Sequence, residues 1–175
     1  MSDPVSRERL TLEPIADEPE VGRWLSALED GRHDTLRELE GVTTEMLSWR
    51  PDAPLNSIGT ILYHIALIEA DWLLDDIQGR AYPDWTRKLL PYPDRDATGR
   101  LIQVDDETLA QHLDRLSRVR RFLLDELRPM TAEDFHQVRV RDRYDVSPAW
   151  VLHHLLQHEA EHRAHIAWLR DTFPG

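Results

Sequence analysis

The sequence predicts an all-α protein built as a four-helix bundle. Glycine is scarce, with 7 residues in a chain of 175. Apolar residues recur mostly at spacings of three and four positions, which is the period of a helix and not the alternation of a strand. Hydrophobic residues make up 41% of the chain, enough for one core in a domain of this length. We therefore expect four long helices around a single core.

The first predicted helix runs from about Glu20 to Glu40 and stops at Gly41, since glycine commonly follows the last turn of a helix. Its apolar stripe consists of Val21, Leu25, Leu28, Leu36 and Leu39. The preceding residues 1–19 are charged and contain proline, so we expect a flexible or extended segment there. The predicted organisation is this segment followed by one helical bundle domain over residues 20–172.

The second predicted helix begins at Asn56 or Ser57, either of which can cap a helix N-terminus, and continues until Gly79. The third is predicted from roughly Asp105 to Leu127. The apolar stripe of the third helix consists of Leu109, Leu113, Leu116, Val119 and Leu123. Residues 80–104 form a connection between these two helices that is long for a compact bundle, and long ordered loops often carry function.

The fourth predicted helix opens with Ser147 as its cap and Pro148 as its first residue, and it continues to about Arg170. Just before it, residues 136–145 alternate in polarity around a turn. This pattern predicts a short hairpin that leads into the last helix.

The two halves of the chain share a weak internal repeat. Aligning the starts of the second and fourth predicted helices without gaps places His64 on His154, and Glu69 on Glu159. The repeat periods typical of solenoid proteins are missing. The alignment indicates two related helical hairpins.

Charge and composition exclude several classes of protein. Acidic residues exceed basic ones to give a formal charge of −12, which disfavours binding to nucleic acids and anionic membranes. No apolar run approaches the roughly 18 residues of a membrane span, and no targeting signal is evident, so we expect a cytoplasmic protein. The chain has no cysteine. Any thiol chemistry therefore needs a thiol supplied by a small-molecule substrate.

The strongest chemical signal is the string His158-Glu159-Ala160-Glu161-His162, which places two imidazoles one helical turn apart on one face. A zincin protease needs a third ligand further along the chain. No glutamate follows the string, and the extended zincin motif fails because His165 replaces its glycine and Trp168 its last histidine. A third metal ligand must therefore come from upstream.

His64 is the best upstream candidate. It lies in the middle of the most apolar helix, where Ile61 and Ile68 flank it along the same edge. Helical bundles commonly build metal sites from side chains on facing helices. With His158 and His162 it would provide three neutral nitrogen ligands and leave one position open, as in catalytic zinc sites. The alternative is three core histidines that are satisfied by other partners.

Other residues near the motif have several interpretations. His154 and His165 are each a candidate fourth ligand, acid or base, or packing group, and we favour packing. Glu159 is a candidate general base, a hydrogen-bond partner that orients His162, or a solvated residue, and we favour the last two. The Glu-x-x-His spacing of Glu159 and His162 also occurs in di-iron bundles. Those need a second such pair, which Glu69 does not supply.

Several residues outside the motif are expected to be structural. Trp72, Trp150 and Trp168 are predicted to be core anchors, and His112 is expected at the surface or rim. The third helix also carries a run of arginines that could attract an anionic thiol but is expected to form a solvated face. These arginines are Arg115, Arg118, Arg120 and Arg121.

The placement of the histidines and their flanking residues resembles the DinB/YfiT-like superfamily of metal-binding four-helix bundles. The similarity extends over about Gly22 to Arg170. The matching segments are Leu47-x-Trp49-Arg50-Pro51, the stretch from Asn56 to Ala66 with Glu69 and Trp72 after it, Trp150-Val151-Leu152-x-His154, and His158-Glu159-x-x-His162-Arg163. One departure is Ala164-His165, where the family often has Gly-Gln.

The resemblance implies a divalent metal, with Zn²⁺ or Ni²⁺ expected, bound by His64, His158 and His162, and it implies a homodimer. Members with assigned activities include transferases and isomerases that use mycothiol, bacillithiol or glutathione, while many members have none. A metal-dependent thiol transferase is therefore the leading expectation. The alternatives are a non-catalytic metal-binding or stress-associated protein, and a metal-assisted hydrolase with Glu159 as its base.

Overall fold

The computed structural model describes residue 7, residues 9–51 and residues 55–175, and it confirms the all-α fold class. Part of the segment predicted to be flexible, residues 1–6 and 8, lies outside the described residues. The four long helices are α1 Pro19–Glu38, α3 Ile58–Asp71, α5 Leu109–Leu127 and α7 Pro148–Thr172, and the short ones are α2 Thr44–Ser48, α4 Asp84–Leu89 and α6 Ala132–His136. The strands β1 Arg139–Val140 and β2 Asp145–Val146 pair antiparallel, so the predicted hairpin is confirmed.

Side-chain caps explain where the long helices begin. The Ser57 and Ser147 hydroxyls accept hydrogen bonds from backbone N–H groups three residues further on, as predicted for α3 and α7. Helix α5 begins later than the predicted Asp105. The reason is that Thr108 and Gln111 form a reciprocal capping box, which defines the first turn there.

The second predicted helix is continuous but changes its winding. Helix α3 passes directly into a π-helix over Trp72–Ile77, and the chain then turns at Gly79, whose φ of 60° is readily adopted by glycine. The long connection that follows contains α4 and one isolated bridge between Arg95 and Leu101. It is tied to α3 because the Tyr63 hydroxyl donates to the Tyr92 carbonyl at 2.8 Å.

Helix packing places the ligand candidates on neighbouring elements. Helix α7 packs against α1 and α3, and α3 packs against α5. Helices α1 and α5 are joined by buried arginines, because Arg32 donates to the Leu116 carbonyl at 3.1 Å and Arg120 donates to the Leu28 carbonyl at 2.7 Å. None of the helices in the described part of the chain combines the length and hydropathy that a membrane span requires.

Burial corrects several expectations for single residues. Trp150 and Trp168 are 49% and 46% exposed, so the prediction that they anchor the core was wrong. The expected solvated arginine face was wrong for Arg115 and Arg120, which are buried, as was the surface position of His112. Helix periodicity identifies the apolar stripe, but it does not say which polar residues beside that stripe find partners inside the bundle.

The buried His112 predicts a measurable pH dependence of stability. Burial, and then the positive charge of Arg115, lower its pKa from 6.5 to about 4. The unfolded chain therefore takes up this proton first, and stability present above pH 6.5 is lost as the pH falls towards 4. We expect metal-free protein to lose more stability between pH 7 and pH 5 than the His112→Gln variant, measured by urea unfolding. Equal losses in the two proteins would contradict this.

Candidate metal centre

Three histidines from two neighbouring helices meet at one point. His64 comes from α3, and His158 and His162 come from consecutive turns of α7. The Nε2 atom of His158 lies 3.2 Å from Nε2 of His64 and 3.1 Å from Nε2 of His162. All three ligand atoms lie within 4.8 Å of one another. Within the described ranges they form a cluster of the size and chemistry that one cation needs.

The histidines are held in the neutral form that a metal ligand requires. Burial, and then the neighbouring imidazoles, lower the pKa of His158 to about 3. The same two causes lower the pKa of His162 to about 4. Burial also lowers the pKa of His64, against the opposing effect of Asp94. Near neutral pH each ring therefore presents a nitrogen lone pair and does not need to lose a proton before binding.

Hydrogen bonds between the histidines cannot satisfy all three Nε2 atoms of this cluster at once. The His64 Nδ1 atom lies 2.6 Å from Oδ1 of Asp94, so its proton belongs on Nδ1 and its Nε2 is an acceptor. If Nε2 of His158 carries a proton and donates it to His64, it has no lone pair left for His162. One of the two short contacts then lacks a hydrogen bond. A cation between the three nitrogens would satisfy all of them, so the residues fit the metal that the sequence predicts.

Asp94 was not predicted from the sequence, but it contacts the histidine cluster through His64. It lies in the connection between α4 and α5, 30 residues after His64. Its second carboxylate oxygen pairs with Arg95 at 3.0 Å. A carboxylate on the outer nitrogen of a histidine fixes the ring orientation and raises its basicity as a ligand. The only available signal was the length of the connection, because no local spacing links Asp94 to a histidine.

We expect Asp94→Asn to weaken metal affinity by about 10-fold to 100-fold, since amide replacement retains the shape but removes the charge that orients His64. A competition titration against a chromophoric chelator measures the change. The exposed Asp106 provides the matched control, and Asp106→Asn should bind metal as the wild type does. Equal affinities for the Asp94 variant and the wild type would remove Asp94 from the site.

Glu159 has neither of the two roles favoured for it, because it is not solvated and its described hydrogen bonds do not reach His162. It is 3% exposed, and its carboxylate accepts hydrogen bonds from Arg32 at 2.6 Å and from Arg120 at 2.9 Å. Burial favours the neutral acid, but the charges of Arg32 and Arg120 outweigh it and hold the pKa of Glu159 at about 2. Both carboxylate oxygens of Glu159 therefore accept hydrogen bonds from arginines.

The other two candidates flank the cluster without joining it. The His154 ring lies 5.9 Å from the His158 ring and stacks on Trp150 with centroids 5.1 Å apart. The His165 side chain is exposed, and its ring lies 5.7 Å from that of His162. The structure thus brings His64, His158 and His162 together and leaves His154 and His165 beside them.

Comparison with known proteins gives one finding about the family. A family model described as the DinB superfamily matches residues 27–166, which is most of the chain and includes all three clustered histidines. A search of curated proteins found no match.

Proposed function

The chain belongs to the DinB superfamily, and on that basis we propose that it is a divalent-metal-dependent thiol S-transferase or isomerase. Its small-molecule substrate would be a low-molecular-weight thiol of the mycothiol or bacillithiol type. Zn²⁺ or Ni²⁺ is the expected metal. Three imidazoles also suit copper or iron, and elemental analysis of the purified protein distinguishes these ions.

The observation that carries this proposal is the convergence of three neutral Nε2 atoms on α3 and α7. Three protein ligands are characteristic of catalytic sites, whereas structural zinc sites have four. A divalent cation held by His64, His158 and His162 would supply Lewis acidity and would lower the pKa of a thiol that binds to it.

The protein's own residues would prepare this site in three ways. Burial keeps the pKa values of His158 and His162 at about 3 and about 4, so protons do not compete with the metal for these rings near neutral pH. Asp94 accepts a hydrogen bond from Nδ1–H of His64, and this contact directs the His64 Nε2 atom at the cluster. The chain has no cysteine, so no protein thiol competes with the substrate for the metal.

The surroundings of Glu159 argue against the hydrolase alternative. A general base must reach the water that it deprotonates. Both carboxylate oxygens of Glu159 accept hydrogen bonds from arginines, and the side chain is buried. The non-catalytic alternative predicts the same histidine cluster and is separated from the enzyme only by an assay.

The test is a transfer assay on metal-loaded protein with mycothiol, bacillithiol or glutathione as donor and a panel of electrophiles as acceptors. We expect turnover with at least one thiol, abolished in His64→Ala and retained in His153→Ala, which removes an exposed histidine from α7. Metal binding without turnover on any pair would favour the non-catalytic alternative. Metal-dependent hydrolysis that disappears in a folded Glu159→Gln variant would favour the hydrolase.

A further inference from the structure

A partly exposed group of aromatic rings adjoins the histidine cluster. We call it the aromatic shelf, and it consists of Trp72, Tyr144, Trp150 and His154. Trp150 is 49% exposed and Tyr144 is 44% exposed. Large aromatic side chains are favourable to bury, and a contiguous exposed apolar surface often marks a binding site.

The rings of the shelf support one another. Trp150 and His154 are stacked with an interplanar angle of 10°. Trp72 contacts both of them, with ring centroids 5.5 Å from Trp150 and 4.8 Å from His154. Tyr144 extends the group, since its ring lies 5.9 Å from that of Trp72. The four rings therefore form one connected cluster and not a set of isolated side chains.

The position of the shelf connects the candidate metal site with a polar cleft. At one end, the His154 ring lies 5.9 Å from that of His158. At the other end, Tyr144 lines a cleft of about 730 Å³. This volume is within the range of small-molecule sites. The cleft is also lined by carboxylates and guanidinium groups, those of Asp71, Asp75, Asp76, Asp142, Arg80, Arg141 and Arg143.

Hydrogen bonds hold the two tyrosines that line the cleft in place. The Tyr144 hydroxyl donates to Oδ1 of Asp76 at 2.7 Å, and the Tyr82 hydroxyl donates to Oδ1 of Asp71 at 2.8 Å. Charged groups of both signs can bind polar substituents of a ligand, whereas the rings offer mainly flat apolar contact.

We propose that the aromatic shelf binds the electrophilic substrate and selects one with a planar aromatic ring, whose polar substituents reach the cleft. This inference rests on the proposed thiol transfer, because it identifies the class of the second substrate. In that reaction the thiol sulfur bonds to a ring carbon, the leaving group departs with the electron pair of its own bond, and the thiol proton passes to water.

The shelf is tested by binding first, without any reaction. The probe is 2,4-dinitroaniline, which has a planar ring but no leaving halide. Isothermal titration calorimetry should give a dissociation constant roughly tenfold larger for Trp150→Leu than for the wild type. Trp150→Phe retains a ring and should restore most of the affinity. Trp168→Leu is the matched control, because Trp168 lies on the same helix and is 46% exposed. It should bind as the wild type does.

Kinetics then separate the shelf from the chemistry. With 1-chloro-2,4-dinitrobenzene as electrophile, Trp150→Leu should raise KM roughly tenfold and leave kcat within about twofold. With iodoacetamide, which has no ring, neither constant should change. An unaltered KM for the aromatic electrophile, or equal losses in the Trp150 and Trp168 variants, would overturn the proposal.

Failure of the shelf and failure of the proposed function give different results. Trp150-dependent binding of 2,4-dinitroaniline without thiol transfer would retain the shelf and remove the transferase. If the Trp150→Leu variant transfers thiol to each of the two electrophiles with the kinetic constants of the wild type, the transferase is retained and the shelf is removed.

Discussion

Replacing His64 with alanine is expected to reduce the metal content of the purified protein from about one equivalent per chain to none. The remaining pair, His158 and His162, lies on one helix and provides two of the three nitrogen ligands that a catalytic zinc site uses. Elemental analysis of untagged protein measures the loss. His158→Ala should have the same effect, because its Nε2 is the atom closest to both other ligand atoms.

The control for this experiment is His153→Ala, which removes an exposed imidazole from α7. It should retain the metal content of the wild type. All variants should keep the circular dichroism spectrum of a helical protein, so that metal loss is not confused with unfolding. Two results would contradict the metal site: metal retained in His64→Ala, or no metal in the wild type after reconstitution. The three histidines would then be packing residues, and the transferase proposal would be wrong.

The second large effect is expected from a buried group of four charged residues, one from each long helix. We call Arg32, Glu69, Arg120 and Glu159 the ion quartet. They are between 2% and 6% exposed. Arg120 donates to both oxygens of Glu69, at 2.9 and 2.8 Å, and also to Glu159 at 2.9 Å. Arg32 likewise reaches both carboxylates, at 2.9 Å to Glu69 and 2.6 Å to Glu159.

Arg120→Ala should lower the free energy of unfolding by about 3–5 kcal/mol, because it leaves two buried carboxylates with one arginine between them. It also removes the hydrogen bond to the Leu28 carbonyl that joins α5 to α1. Urea unfolding at pH 7 measures the loss. Since a domain of this kind has only about 5–15 kcal/mol of stability, a loss of this size would remove a large fraction of it.

The neighbouring Arg121 is the matched control, because it is exposed and lies next to Arg120 on α5. Arg121→Ala should change stability by no more than about 0.5 kcal/mol. A loss below about 1 kcal/mol in the Arg120 variant would mean that water or a rearranged Arg32 compensates the carboxylates. The quartet would then contribute little to the stability of the bundle.

The ion quartet gives a structural meaning to one match within the internal repeat. The internal repeat aligned Glu69 with Glu159, and the structure brings these two carboxylates onto the same pair of arginines. The arginines come from the other two long helices. Nothing in the spacing of Arg32 or Arg120 distinguished them from the solvated cations expected on a helix surface.

The histidines were predicted with different kinds of support. His158 and His162 follow from their spacing on one helix, which is a local property. His64 was indicated by its apolar surroundings and by the family resemblance, and the structure places its Nε2 3.2 Å from that of His158. For Trp150 the general preference of tryptophan for the core misled the prediction, because its ring packs on Trp72 and His154 and remains 49% exposed.

Local sequence patterns were enough to predict the four long helices, the serine caps of α3 and α7, the hairpin before α7 and the pair of imidazoles one turn apart. These features depend on residues only a few positions apart, so local periodicity and capping suffice to identify them. By contrast, the contact of Asp94 with His64, the pairing of Glu159 with arginines and the exposure of Trp150 became apparent only from the packed helices. These features depend on contacts between residues as far as 127 positions apart, and helix packing determines which of them form.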